Sequence, residues 1–199
     1  THGHFDHICG VAKLKKAYPE AKGCIGKEDS SYLTDGRLSM ATAFKMDFEP
    51  CIPDMEFSHN DTFSMGDIDI RVFSAPGHTP GAMSFFFDVT DGKEVFRAGL
   101  HGGMGINTLS ADFLKKYDLP FSLRDDFKNS MLRLNKEKVD IFLGNHMQHN
   151  HTLEKAQMLK DGNLHAFINK NEWQAYNLWC IENLENMVNN EKSSSEELK

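Results

Sequence analysis

The amino-acid sequence predicts an α/β protein on three observations. Near both ends, apolar residues recur at helical spacing. In the middle, Ile68, Ile70 and Val72 alternate with polar neighbours, as in a half-buried strand. Further on, "RDDFKNSMLRLNKEKVDIFLGNH" passes from a helical period straight into a short apolar strand, the helix-then-strand order of α/β folds. At 199 residues the chain can bury a sizeable core, and one domain is expected over residues 1–190. The polar run "EKSSSEELK" at 191–199 is expected to be a disordered tail.

Each element follows from local pattern. "VAKLKKAYPE" puts Val11, Leu14 and Tyr18 on one helical face and ends at Pro19. "KGCIG" reads as a short strand and "KEDSSYL" as a helical turn or two. Residues 34–57 carry no clean period and hold Pro50 and Pro53, which predicts an irregular loop bordering a cleft. "DIDIRVFSAPGH" is a strand ending in a Gly/Pro turn that carries His78, and "AMSFFFDVTDGKEVFRAG" is two strands around an Asp91-Gly92 hairpin turn. Phe127, Met131 and Leu134 share a helical face, and the strand "VDIFLG" then delivers His146. In "NEWQAYNLWCIENLENMVNN", Trp173, Tyr176, Cys180, Leu184, Met187 and Val188 recur as a core-facing stripe. No internal repeat is visible.

Composition narrows the function classes. A formal charge of -7 and a pI near 5.8 provide no basic field for nucleic acid. No apolar run approaches the ~20 residues of a membrane helix. Cys9, Cys24, Cys51 and Cys180 form no CxxC pair, so buried free thiols are expected rather than a zinc knuckle or a disulfide framework.

The chemistry concentrates in histidines. "THGHFDH" sets three histidines and an aspartate within seven residues, and imidazole and carboxylate are what zinc and iron accept. In an extended segment His2, His4 and Asp6 share one side, and a turn before a helix brings His7 round to join them. His78 in "SAPGHTPG" and His146 in "LGNHMQHN" each follow a strand, where loops of α/β sheets build sites. Together these six residues suffice for two metal ions with three protein ligands each. An N-terminal nucleophile at Thr1 has no supporting motif.

These motifs resemble the metallo-β-lactamase superfamily: an HxHxDH motif (His2, His4, Asp6, His7), a GHTPG histidine (His78) and a late strand-end histidine (His146). "SAPGHTPGAMSFFF", "FKNSMLRLNKEKVDIFLGNH" and "HAFINKNEWQAYNLW" extend the likeness along the chain, toward the third, or B3, subclass. The resemblance implies a four-layer αββα sandwich whose N-terminal strands, chiefly of the first sheet, are missing from this sequence. It implies one zinc held by His2, His4 and His78, and a second by Asp6, His7 and His146, with iron the lesser alternative. A metal-bound hydroxide would attack a substrate carbonyl, and Asp6 would act as the catalytic residue that accepts its hydrogen bond. The implied partners are a small-molecule carbonyl substrate and another chain supplying the missing strands, with no nucleic acid and no membrane.

Leu100, in "RAGLHGG", stands where most hydrolases of this superfamily carry a metal-bridging Asp; the B3 subclass resembled here also lacks that Asp. His101 beside it is either a turn histidine or a residue that reaches the metal or substrate. Val139 stands where some B3 enzymes have one cysteine of a pair. His59, His149, His151 and His165 default to the surface, with His149 and His151 near the cleft mouth. Gly102, Gly103 and Gly105 are expected to let backbone approach the cleft, and residues 38–54 and 104–121 to wall the pocket. Opening of a β-lactam amide is the first functional expectation. Hydrolysis of a lactone, thioester or other ester is the second, and a non-catalytic metal-binding domain the third. A β-lactamase would be periplasmic or secreted, and the other hydrolases cytoplasmic.

Overall fold

The structure is a computed structural model and describes residues 1–197. The opening motif leads into a single helical turn, α1 (Phe5–Ile8), and then into α2 (Val11–Ala17). Lysines at 15 and 16 suit the negative end of α2, and the helix stops before Pro19, which disfavours helical backbone at the residue ahead of it. The inward side of α2 is Val11 and Ala12, whereas Leu14 is 56% and Tyr18 65% exposed. The expected face is thus not the buried one: Leu14 faces solvent from within the helix, and Tyr18 has already left helical geometry.

Strand β1 (Cys24–Gly26) continues directly into a 3-10 helix over Lys27–Leu33. The irregular segment that follows ends earlier than expected, since Met55–Phe57 forms β2 and pairs in parallel with β1. Next come β3 (Thr62–Met65), β4 (Ile68–Ser74), β5 (Met83–Thr90) and β6 (Val95–Leu100). A 3-10 turn at Asn107–Leu109 precedes α3 (Ala111–Tyr117), α4 (Leu123–Leu134), β7 (Ile141–Leu143), α5 (Thr152–Lys160) and α6 (Glu172–Glu197).

The larger sheet has the order β3-β4-β5-β6-β7. Its first four strands are an antiparallel meander, while β7 lies parallel to β6, as the helical crossover between them requires. On one face Phe86 and Phe142 meet Phe127, Met131 and Leu134 of α4 and Trp173, Cys180 and Leu184 of α6. On the other, Val72 and Met83 pack with Phe57 of β2. Beyond the small sheet, Ile8 and Val11 close over Ile25. Helix, sheet, sheet, helix is therefore the layer order, with two strands in the smaller sheet among the described residues.

Two further expectations are corrected. Helix α6 runs through residues 191–197, where composition suggested disorder; Arg124 pairs with Glu191 at 2.6 Å, and Glu191 also accepts from the Ala111 N–H at 2.8 Å. Residues 198 and 199 lie outside the described residues. Of the four free cysteines only Cys180 is buried, and Cys24 is exposed. Val139 sits in the main core at 3% exposure. Among the described residues no helix is long and apolar enough to cross a membrane.

Candidate metal centre

The six histidine and aspartate positions singled out from sequence converge on one cleft. His2 and His4 precede α1, and Asp6 and His7 lie within it; His78 occupies the turn between β4 and β5, and His146 the loop after β7. Ligand atoms of His2, His4 and His78 all lie within 4.8 Å of one another, as do those of His2, Asp6 and His7. His146 joins the second group, its Nε2 3.2 Å from His7 Nε2 and 3.5 Å from Asp6 Oδ2.

Hydrogen bonds fix the tautomers of two of these rings. Carbonyl oxygens only accept, so His2 donates from Nδ1 to Gly102 O at 2.8 Å and His78 from Nδ1 to Gly105 O at 2.6 Å. Their Nε2 lone pairs then face the centre. His4 Nδ1 lies 3.0 Å from His78 Nε2 and Asp6 Oδ2 3.5 Å from His7 Nε2. Two nitrogens bound to one tetrahedral zinc stand roughly 3.3 Å apart, so these separations suit a shared cation.

Electrostatics agrees. Burial, reinforced by neighbouring imidazoles, holds His2 well below the usual histidine range and His4 down to about 2. Burial lowers His7 and His78 to about 4 each, with Asp6 pulling both the other way. Neutral rings present lone pairs, which are what a metal ligand needs. The donor set therefore fits a divalent cation of zinc's type.

A second layer holds the ligand loops. Asp29, fully buried in the 3-10 helix, accepts from Gly3 N at 2.8 Å, Thr79 Oγ1 at 2.6 Å and Gly81 N at 2.7 Å. It thus clamps the residue between His2 and His4 to the residue after His78. Burial pushes its carboxyl upward, and the three hydrogen bonds oppose that shift. Sequence reading missed Asp29, and a lone carboxylate in "KEDSSYL" carries no spacing signal that would have revealed it. Gly102 O also accepts from Asn145 Nδ2 at 2.9 Å, tying the loop after β6 to the loop after β7.

Glycines make the approach possible, as expected. A Cβ on Gly103 would stand 2.8 Å from the His78 ring, and one on Gly105 would stand 3.1 Å from it. A Cβ on Gly3 would enter the Tyr32 side chain at 2.5 to 2.7 Å. Leu100 ends β6, paired with Phe85 and Leu143, and brings no ligand atom. His101 is fully buried behind the cleft, its Nε2 3.2 Å from Asn177 Oδ1 and its ring 5.2 Å from Trp173. It is a buried residue that belongs neither to the ligand groups nor to the cleft lining. His149, by contrast, is half-buried in the cleft wall, with its ring 5.2 Å from that of His146. His59, His151 and His165 lie outside the cleft lining.

The cleft is a cavity of ≈ 320 Å³, walled additionally by Met40 and Phe44 from one predicted loop and by Met104, Asn107 and Thr108 from the other. A larger open groove of ≈ 900 Å³ lies between α3 and α6. It holds none of the convergent histidines, so the smaller cavity is the candidate site.

Residues 1–96 match the family model described as the metallo-beta-lactamase superfamily. Over 98% of this chain and 72% of its own, the structure of BJP-1, a subclass B3 metallo-beta-lactamase of Bradyrhizobium japonicum, superposes with a TM-score of 0.83 at 22% identity. That identity speaks for the fold alone. The chain thus resembles the metallo-β-lactamase superfamily in sequence over its first 96 residues and shares the fold of a B3 metallo-beta-lactamase over nearly its whole length. Curated relatives include glyoxylase B2 of Dictyostelium discoideum, 33% identical over 44% of this chain and 30% of that protein. Another is a hydroxyacylglutathione hydrolase of Bradyrhizobium sp. (strain ORS 278), 31% identical over 64% of this chain and 44% of that protein. The chain thus spans less than half the length of either relative. Superfamily members bind metal, usually zinc, and the histidine-rich cleft is where this chain would do so.

Proposed function

We propose that this chain is a zinc-dependent hydrolase of activated carbonyl compounds, thioesters and esters first. The observation that carries the reading is the convergence of six ligand-type side chains from three separate segments on one open cleft. His2, His4 and His78 would hold one zinc, and Asp6, His7 and His146 a second. When bound, the metal supplies an electrophile that activates water and polarises the carbonyl. The chain's own residues do the rest. Asp6, whose carboxylate is partly exposed at the cleft, accepts the proton of the attacking water and orients it. Met40, Phe44 and Met104 provide apolar walls that exclude bulk solvent from the reacting carbonyl.

The name of the hydroxyacylglutathione hydrolase favours a thioester, because that relative is similar in sequence, whereas likeness to β-lactamase structures is a likeness of fold. A β-lactam amide remains the second reading, favoured by Leu100, which stands in place of a bridging carboxylate. Zinc-loaded protein should hydrolyse a simple thioester with a larger kcat/KM than a chromogenic cephalosporin, and chelation should abolish both activities. The reverse ranking transfers the assignment to β-lactams. Bound zinc with neither activity would make the chain a metal-binding domain without turnover.

A further inference from the structure

A second cavity beyond His149 bears on which substrates enter. Gln148 and His149 wall both the cleft and this neighbouring cavity of ≈ 510 Å³, whose other sides include Glu172, Tyr176 and Trp179. A ladder of rings connects the two. His146 to His149 is 5.2 Å, His149 to Tyr176 is 5.7 Å and Tyr176 to Trp179 is 5.2 Å between centroids. Helix α6 buries Trp173 and Cys180 in the core yet leaves Trp179 53% exposed, on the side where the ladder ends.

The charge of this cavity is as informative as its rings. No lysine or arginine lines it, and the Glu172 carboxylate is already taken by Lys155. An anionic substituent would meet the Lys155-paired Glu172 carboxylate, with only the imidazoles of His149 and His151 facing it, while a neutral planar group would meet aromatic faces. We propose that this cavity is a subsite for an uncharged aromatic substituent on the departing half of the substrate. The assignment rests on the hydrolase reading, in which that half leaves past Asp6, His7 and His146.

The test has two arms, so that the subsite and the hydrolase reading fail separately. The chain has two tryptophans, and Trp173 is fully buried, so quenching by a small solute reports on Trp179. With the metal-free 199-residue chain, 4-nitrobenzyl alcohol should quench saturably, whereas 4-nitrobenzoate should quench only in proportion to its concentration. Ala175→Arg, on the exposed side of α6 beside the cavity, should remove the saturation. Non-saturating quenching by both solutes overturns the subsite. In the second arm, Trp179→Ala in the zinc-loaded protein should lower kcat/KM for an S-benzyl thioester by about 3- to 10-fold. The S-ethyl thioester of the same acid should change less than about 2-fold. Equal losses on the two also overturn the subsite. No turnover of either thioester removes the thioester reading, and saturable quenching then still decides whether the cavity binds neutral aromatics.

Discussion

Asp29 shows how much of the centre depends on a residue that touches no ligand ring. It holds two ligand loops through three hydrogen bonds, and partners of this kind typically alter metal affinity by about 10- to 100-fold when changed. Asp29→Asn keeps the shape but turns an N–H toward a group that donates. Zinc affinity measured by chelator competition should fall at least about 10-fold with the circular dichroism spectrum retained. Unchanged affinity would make Asp29 a folding residue only. The six candidate ligands were legible because spacing and strand-end context mark them. Asp29 was not, because its meaning lies in contacts to residues 3, 79 and 81, which only the fold brings near. His101 illustrates the opposite case, a histidine beside the motif that the fold turns into the core.

Helices α4 and α6 position the centre from behind by covering the large sheet. Leu134 is fully buried, and its carbonyl accepts from Trp173 Nε1 at 2.7 Å. Leu134→Ala should cost about 2–5 kcal/mol in denaturant unfolding while leaving zinc stoichiometry unchanged. A loss of bound zinc in the folded variant would mean that this packing shapes the ligands directly. Strand β4 and helices α4 and α6 were legible from period, and strands β5 and β6 from the Asp91-Gly92 turn between them. Helix α3 was not, since "ADFLKKY" is short and its signals are local: the Ser110 side chain accepting from Phe113 N, and Asp118 in the left-handed region at its end. Strand β3 escaped because three of its four residues are exposed, which removes the alternation that reveals a strand.

Over the whole molecule, burying so many neutral imidazoles makes stability depend on pH. His4 is held near 2, His101 near 3, and His7, His78 and His149 near 4, all through burial. Below the ordinary value of 6.5 the unfolded chain binds protons that the folded one refuses, so unfolding becomes easier as pH falls from 6.5 toward 4. Above 6.5 these groups contribute no slope. The metal-free protein should therefore show a level Tm from pH 7 to 8 and a steep decline below 6.5, measured by calorimetry. A Tm independent of pH between 4 and 7 would mean that the rings are more hydrated than their burial indicates.

The contacts from His4 to His78 and from His7 to His146 join positions 74 and 139 residues apart. An ion seated there is a rivet through three distant parts of the chain. Closing a loop of twice the length costs only about 0.6 kcal/mol more, so the longer tie is nearly as easy to make as the shorter one. Once riveted, no strand between them can peel away alone while the ion stays. Opening of the sheet then releases the ion, so the speed with which a chelator strips the protein sets an upper limit on how often the fold opens.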